Sequence, residues 1–139
     1  MIQSKKFFKI KNKKVKQPMQ IINIIWLSQE ALEAEVIVSD GAHNIMCFSQ
    51  PFQCEIGDEL DGSLYCFNVT ELVKSKDNIP YIEKLNDHFS YRLTCKLHDK
   101  ENLQVMLGNL LIELDNDTIP GDILEDDFIT FECQRIDIY

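Results

Sequence analysis

Apolar and polar residues alternate along much of this chain with a period of two, the spacing of a β-strand whose two faces meet different surroundings. The pattern is plainest in the second half. There Phe89, Tyr91, Leu93, Cys95 and Leu97 share one face of a predicted strand, and Leu110, Ile112 and Leu114 alternate with Leu111, Glu113 and Asp115. Further on, Ile129, Phe131 and Cys133 oppose Phe128, Thr130 and Glu132. Shorter strand patterns cover Tyr81 to Leu85 and Leu103 to Leu107.

The first half holds the clearest local signal. Two β-rich runs, Leu32 to Val38 and His43 to Ser49, flank Ser39-Asp40-Gly41-Ala42. Asp-Gly at that place supplies the positive φ angles of a type I′ turn and predicts a hairpin. The apolar run Ile21 to Leu27, with the only tryptophan, reads as a buried strand, and Leu64 to Val69 as another. Ser28 to Ala34 and Thr70 to Lys74 read as single helical turns, the first capped by Ser28. The polar stretch 74–80, closed by Pro80, is the expected midpoint linker.

Gly57-Asp58 and Gly121-Asp122 supply further turns. Eight or more short antiparallel strands with little helix predict an all-β domain, a small barrel or sandwich of OB-like or SH3-like form. The expected organisation is a basic arm or edge strand over residues 1–17 and one acidic β domain over 18–139. A chain of 139 residues with 45% apolar and 27% charged residues can bury one core.

No apolar run approaches the roughly eighteen residues of a membrane span, and the lysine-rich start is followed by no cleavable signal pattern, so a cytoplasmic protein is expected. Five scattered cysteines, Cys47, Cys54, Cys66, Cys95 and Cys133, suit reduced thiols used as small apolar residues.

Charge changes the picture. Residues 1–16 hold seven lysines and no acid, so the formal net charge of −9 leaves seven bases against twenty-three acids, or −16, on the rest. Such a body repels phosphate and attracts cationic partners. The density peaks late: Glu113, Asp115, Asp117, Asp122, Glu125, Asp126, Asp127, Glu132 and Asp137 face Arg135 alone.

Catalytic and metal-binding patterns are weak by comparison. His43 and Cys47 share a strand face but stand about 13 Å apart at the usual rise, too far to grip one ion. Asp115 to Asp122 opens like a calcium loop, yet Ile119 and Pro120 stand where an oxygen ligand and a glycine are needed. Ser39, Asp40 and His43 gather at the hairpin without a nucleophile-elbow context, so turn formation accounts for them. Phe48, Tyr65, Phe67, Phe89 and Tyr91 could stack bases, but the body lacks a basic track for the phosphates.

The sequence therefore points to a non-catalytic binding protein without metal or cofactor. Its expected partner is a basic protein, such as a cationic toxin or nuclease that it would inhibit as an immunity protein does. The expected contact residues are Glu113, Asp115, Asp117, Asp122, Glu125, Asp126 and Asp127. The alternative is a nucleic-acid accessory protein that touches phosphate through its N-terminal lysines.

Overall fold

The computed structural model describes residues 18–85, 88–115 and 119–139, all strand, turn or loop. The expected basic arm over 1–17 lies outside them. Twelve strands are described: β1 (Met19–Ser28), β2 (Glu33–Ser39), β3 (Asn44–Ser49), β4 (Glu59–Leu60), β5 (Leu64–Phe67), β6 (Thr70–Lys74), β7 (Tyr81–Lys84), β8 (Tyr91–Asp99), β9 (Gln104–Leu107), β10 (Leu110–Leu114), β11 (Phe128–Cys133) and β12 (Arg135–Ile138). They form one sheet in the order β4-β1-β2-β3-β12-β5-β10-β9-β8-β11-β6, with β7 paired to β8 off this path. The path ends on β4 and β6, so among the described residues the sheet is not closed.

The all-β expectation holds, but the sheet is mixed rather than purely antiparallel. β10 runs parallel to β5, with Ile112 opposite Leu64, and β12 runs parallel to β3, with Asp137 opposite Phe48. Both pairs join segments distant in sequence. Local alternation carries no information about such partners.

Alternation did place the core. Tyr91, Leu93, Cys95 and Leu97 of β8, Leu110, Ile112 and Leu114 of β10, and Ile129, Phe131 and Cys133 of β11 are all buried. Val36 and Val38 of β2 join Ile45 and Cys47 of β3 in the same cluster. The hairpin between these strands forms as expected, with a different turn. Gly41 and Ala42 are its central residues, and Gly41 takes the positive φ, 96°. Asp40 therefore stands before the two turn residues and caps them through its carboxylate.

Three local expectations are corrected. Ser28 to Ala34 holds no helix: its Ser28 hydroxyl accepts the Ala31 N–H (3.2 Å) across a plain turn. Thr70 to Lys74 is strand β6, antiparallel to β11, and Glu71 sits at φ 57°, outside the right-handed helical region. The Ile21 to Leu27 run is a strand but not a buried one. Met19 and Ile21 of β1 lie in the core and half-buried Ile24 packs against it, while Ile22, Ile25, Trp26 and Leu27 are exposed. The stretch 74–80 contains the loop joining β6 to β7, whose partners β11 and β8 are neighbours in the same sheet.

Four cysteines line this core. Cys47, Cys66, Cys95 and Cys133 are buried, Cys54 is exposed, and all five are free thiols. Burial pushes the Cys47, Cys66 and Cys95 thiols up, and Cys66 hydrogen-bonds to Cys133. A buried, fully protonated thiol is a poor nucleophile. In native protein a disulfide-exchange reagent should therefore titrate Cys54 quickly and the other four only on unfolding; fast reaction of two or more thiols would contradict this packing.

Candidate binding surface

The acidic segment after β10 divides into carboxylates that hold the fold and carboxylates that face solvent. Glu113 lies half-buried within β10 and accepts the Ser63 hydroxyl at 3.3 Å. Asp115 accepts the Asn68 N–H (2.6 Å) and the Val69 N–H (3.1 Å), capping the turn between β5 and β6. Asp117 lies outside the described residues.

The loop 119–127 is tied to the end of β8. The Asp126 N–H donates to the Leu97 carbonyl and the Leu97 N–H to the Asp127 carbonyl, each at 2.8 Å. Lys100 clamps the loop by donating its ammonium to the carbonyls of Ile123 (2.6 Å) and Pro120 (3.3 Å). Asp127 accepts the Leu124 N–H at 2.9 Å and stands 3.5 Å from Lys74 Nζ. The Leu124 N–H, aided by Lys74 against a smaller opposing effect of burial, holds the Asp127 carboxyl below its ordinary range.

What this pinned loop displays is Leu124, 61% exposed, and the exposed carboxylates of Asp122, Glu125 and Asp126 on the same loop. Glu125 also accepts the Lys100 N–H at 3.1 Å, and Asp126 is 3.9 Å from Lys96 Nζ. Leu124, Glu125, Asp126, Lys100 and Glu101 line an open depression of about 710 Å³. Of the seven residues expected to meet a partner, the structure thus groups Asp122, Glu125, Asp126 and Asp127 on one loop. It places Glu113 and Asp115 on the β5–β10 side, in structural roles.

The other sequence candidates resolve into packing. Ser39 Oγ accepts the Gly41 N–H at 3.0 Å, and Asp40 caps the turn through Ala42 (2.9 Å) and His43 (2.7 Å), so the cluster is a turn. Phe48 stacks edge-on against Phe89, and the Arg135 guanidinium lies over both Phe48 (4.6 Å) and Phe67 (5.3 Å) while pairing with Asp137 at 2.6 Å. Tyr91 is buried and its hydroxyl accepts the Met46 N–H. Phe48, Phe89 and Tyr91 are engaged internally, whereas Phe67 keeps an exposed face. Among the described residues no three His, Cys, Asp or Glu side chains are placed to hold a metal ion, and no helix is long and apolar enough to cross a membrane.

Two features escaped the sequence reading. A polar cleft of about 740 Å³ lies beside Arg92, whose guanidinium is forked between Glu83 (2.7 Å) and Glu132 (2.6 Å). Glu83, Arg92 and Glu132 come from β7, β8 and β11, and only sheet pairing brings them together. The second is the exposed apolar flank of β1, concealed because an apolar run was equated with burial. No protein-family model, curated protein or solved structure matches this chain.

Proposed function

We propose that this protein is a non-catalytic binding module that captures a basic protein partner on its acidic surface, blocking a cationic toxin or nuclease as an immunity protein would. The observation that carries the reading is the loop 119–127, which exposes Leu124 together with Asp122, Glu125 and Asp126 on a backbone already fastened to β8 and Lys100. An apolar anchor with charged neighbours suits a protein partner, and a loop fixed in advance loses little entropy on docking. The body's −16 charge adds long-range attraction for a cationic surface and repulsion for nucleic acid. The four core thiols suit a reducing compartment such as the cytoplasm.

The test is affinity capture with wild type and with an Asp122→Lys/Asp126→Lys variant, followed by association kinetics on the captured protein. Association should slow about tenfold between roughly 50 and 200 mM salt as the Debye length shortens, with dissociation changing less. The double reversal should slow it comparably at low salt. An association rate indifferent to both salt and charge reversal would refute the reading.

A further inference from the structure

Among the described residues β1 is the longest strand, and most of one side of it has no described partner. Its inner side pairs with β2 from Gln20 to Ser28. On its outer side β4 pairs only with Met19 and Gln20, and the turn before β4 reaches one residue further, with the Ile21 N–H donating to Asp58 (2.9 Å) and the Gly57 N–H to Ile21 (2.8 Å). From Ile22 to Ser28 no described residue pairs with that side.

Such edges are usually guarded by charged side chains, proline or β-bulges. β1 has no guarding charge or proline, since Met19–Ser28 contains no Asp, Glu, Lys, Arg or Pro, and its irregularities flank the stretch Asn23 to Trp26 rather than interrupt it. Ile22, Ile25, Trp26 and Leu27 are instead between 38% and 46% exposed. Register irregularities lie at Ile21/Asn23 and Trp26/Ser28, and they leave Asn23 to Trp26 as a regular stretch. Such a stretch can accept another extended chain, whose main chain completes the ladder while alternate side chains meet the apolar flank.

The charge around this edge selects the occupant. From Pro18 to Val73 the chain contains no Lys or Arg and nine acids: Glu30, Glu33, Glu35, Asp40, Glu55, Asp58, Glu59, Asp61 and Glu71. Glu55, Asp58 and Glu59 stand near the Ile21 end of the open side, Glu30 and Glu33 near its Ser28 end. The seven residues between span about 24 Å of extended chain. A second copy of β1 laid against this edge would bring the carboxylates at its two ends against the same carboxylates of the other copy. A strand with basic residues toward its ends and apolar residues between them would match both the flank and the carboxylates.

We propose that the open edge of β1, Ile22 to Ser28, receives an extended Lys- or Arg-rich segment of the partner protein as an added strand. The proposal rests on the partner being basic, as inferred above, and gives that partner a second point of attachment away from the 119–127 loop.

The test uses the full chain and three fluorescent ten-residue probes: alternating Lys and Val, alternating Glu and Val, and the Lys-Val peptide interrupted by proline. The Lys-Val probe should bind at least about tenfold more tightly than the other two, and should protect amides within Ile22 to Ser28 from hydrogen exchange. Ile25→Lys should weaken this binding about tenfold and Ile25→Glu should preserve it, both with an unchanged melting temperature. General apolar stickiness would instead lose affinity in both variants, which overturns the proposal. Dimerisation through β1, or probe binding that appears only after residues 1–16 are deleted, would assign the edge to a second copy or to the chain's own lysine-rich segment and likewise overturn it. Asp122→Lys/Asp126→Lys should leave probe protection at β1 in place. If the β1 result fails while partner association still depends on those two residues, this proposal falls and the acidic-loop reading stands.

Discussion

Replacing Asp40 with alanine is expected to destabilise the fold by about 3 kcal/mol, since a carboxylate that serves several backbone donors contributes more than a neutral hydrogen bond and its loss leaves those donors unpaired. Asp40 is 3% exposed, and its Oδ1 accepts the N–H groups of Ala42 (2.9 Å) and His43 (2.7 Å). Its Oδ2 accepts the Asn109 N–H at 2.7 Å and faces His43 Nδ1 at 3.3 Å. One side chain thereby fastens the β2–β3 turn to the β9–β10 turn. The approach is close enough that a Cβ on Gly108, at φ 61°, would lie 2.5 Å from the His43 ring and 2.7 Å from Asp40 Oδ2. Gly108→Ala should accordingly be destabilising as well.

Burial works against the Asp40 charge, but the three backbone N–H groups outweigh it and leave its pKa below the ordinary 3.8. A carboxyl whose pKa is depressed by folding stabilises the native state above its unfolded pKa and loses that contribution as pH falls through the folded value. The stability gap between wild type and Asp40→Asn should therefore be constant above about pH 5 and shrink below about pH 4. Denaturant titrations at pH 7, 5, 4 and 3 measure it. A gap as large at pH 3 as at pH 7 would mean the carboxylate's charge is not what holds the two turns.

Phe52→Ala is expected to cost about 3 to 4 kcal/mol, the usual range for deleting a fully buried phenyl ring. Phe52 is not in a strand, yet it is among the largest fully buried side chains. Its N–H donates to the Leu32 carbonyl at 2.8 Å and its ring meets the Trp26 ring edge-on at a centroid distance of 5.9 Å. It therefore secures the loop after β3 beneath the far end of β1. Phe52→Leu, which refills most of the space, should cost about 1.5 kcal/mol. Chemical denaturation gives both values, and hydrogen exchange should show Asn23 to Trp26 losing protection in the alanine variant first. Equal losses in both variants would place the ring's contribution outside volume filling.

The sequence by itself determined the all-β class and much of the core, because a period of two is a local property: β8, β10 and β11 each declare their buried face within five to seven residues. It also determined the charge division, which needs only counting. Tertiary structure decided what each side chain serves. Asp115 and Asp127 read as surface charge in the sequence, but long-range pairing sets Asp115 beside the N–H groups of Asn68 and Val69, and the turn of the pinned loop folds Asp127 back onto the Leu124 N–H. Asp122, Glu125 and Asp126 remain displayed because loop 119–127 is tied to β8, a segment about twenty-five residues earlier. Arg92 finds Glu83 and Glu132 across three adjacent strands for the same reason. The sharpest divergence is β1. Seven consecutive residues with almost no polar interruption satisfy every local sign of burial, yet whether a strand is interior or edge depends on whether a neighbour exists on its second side. That neighbour comes from elsewhere in the chain. Here β4 covers only the first residues of β1, and the rest of its apolar flank stays exposed.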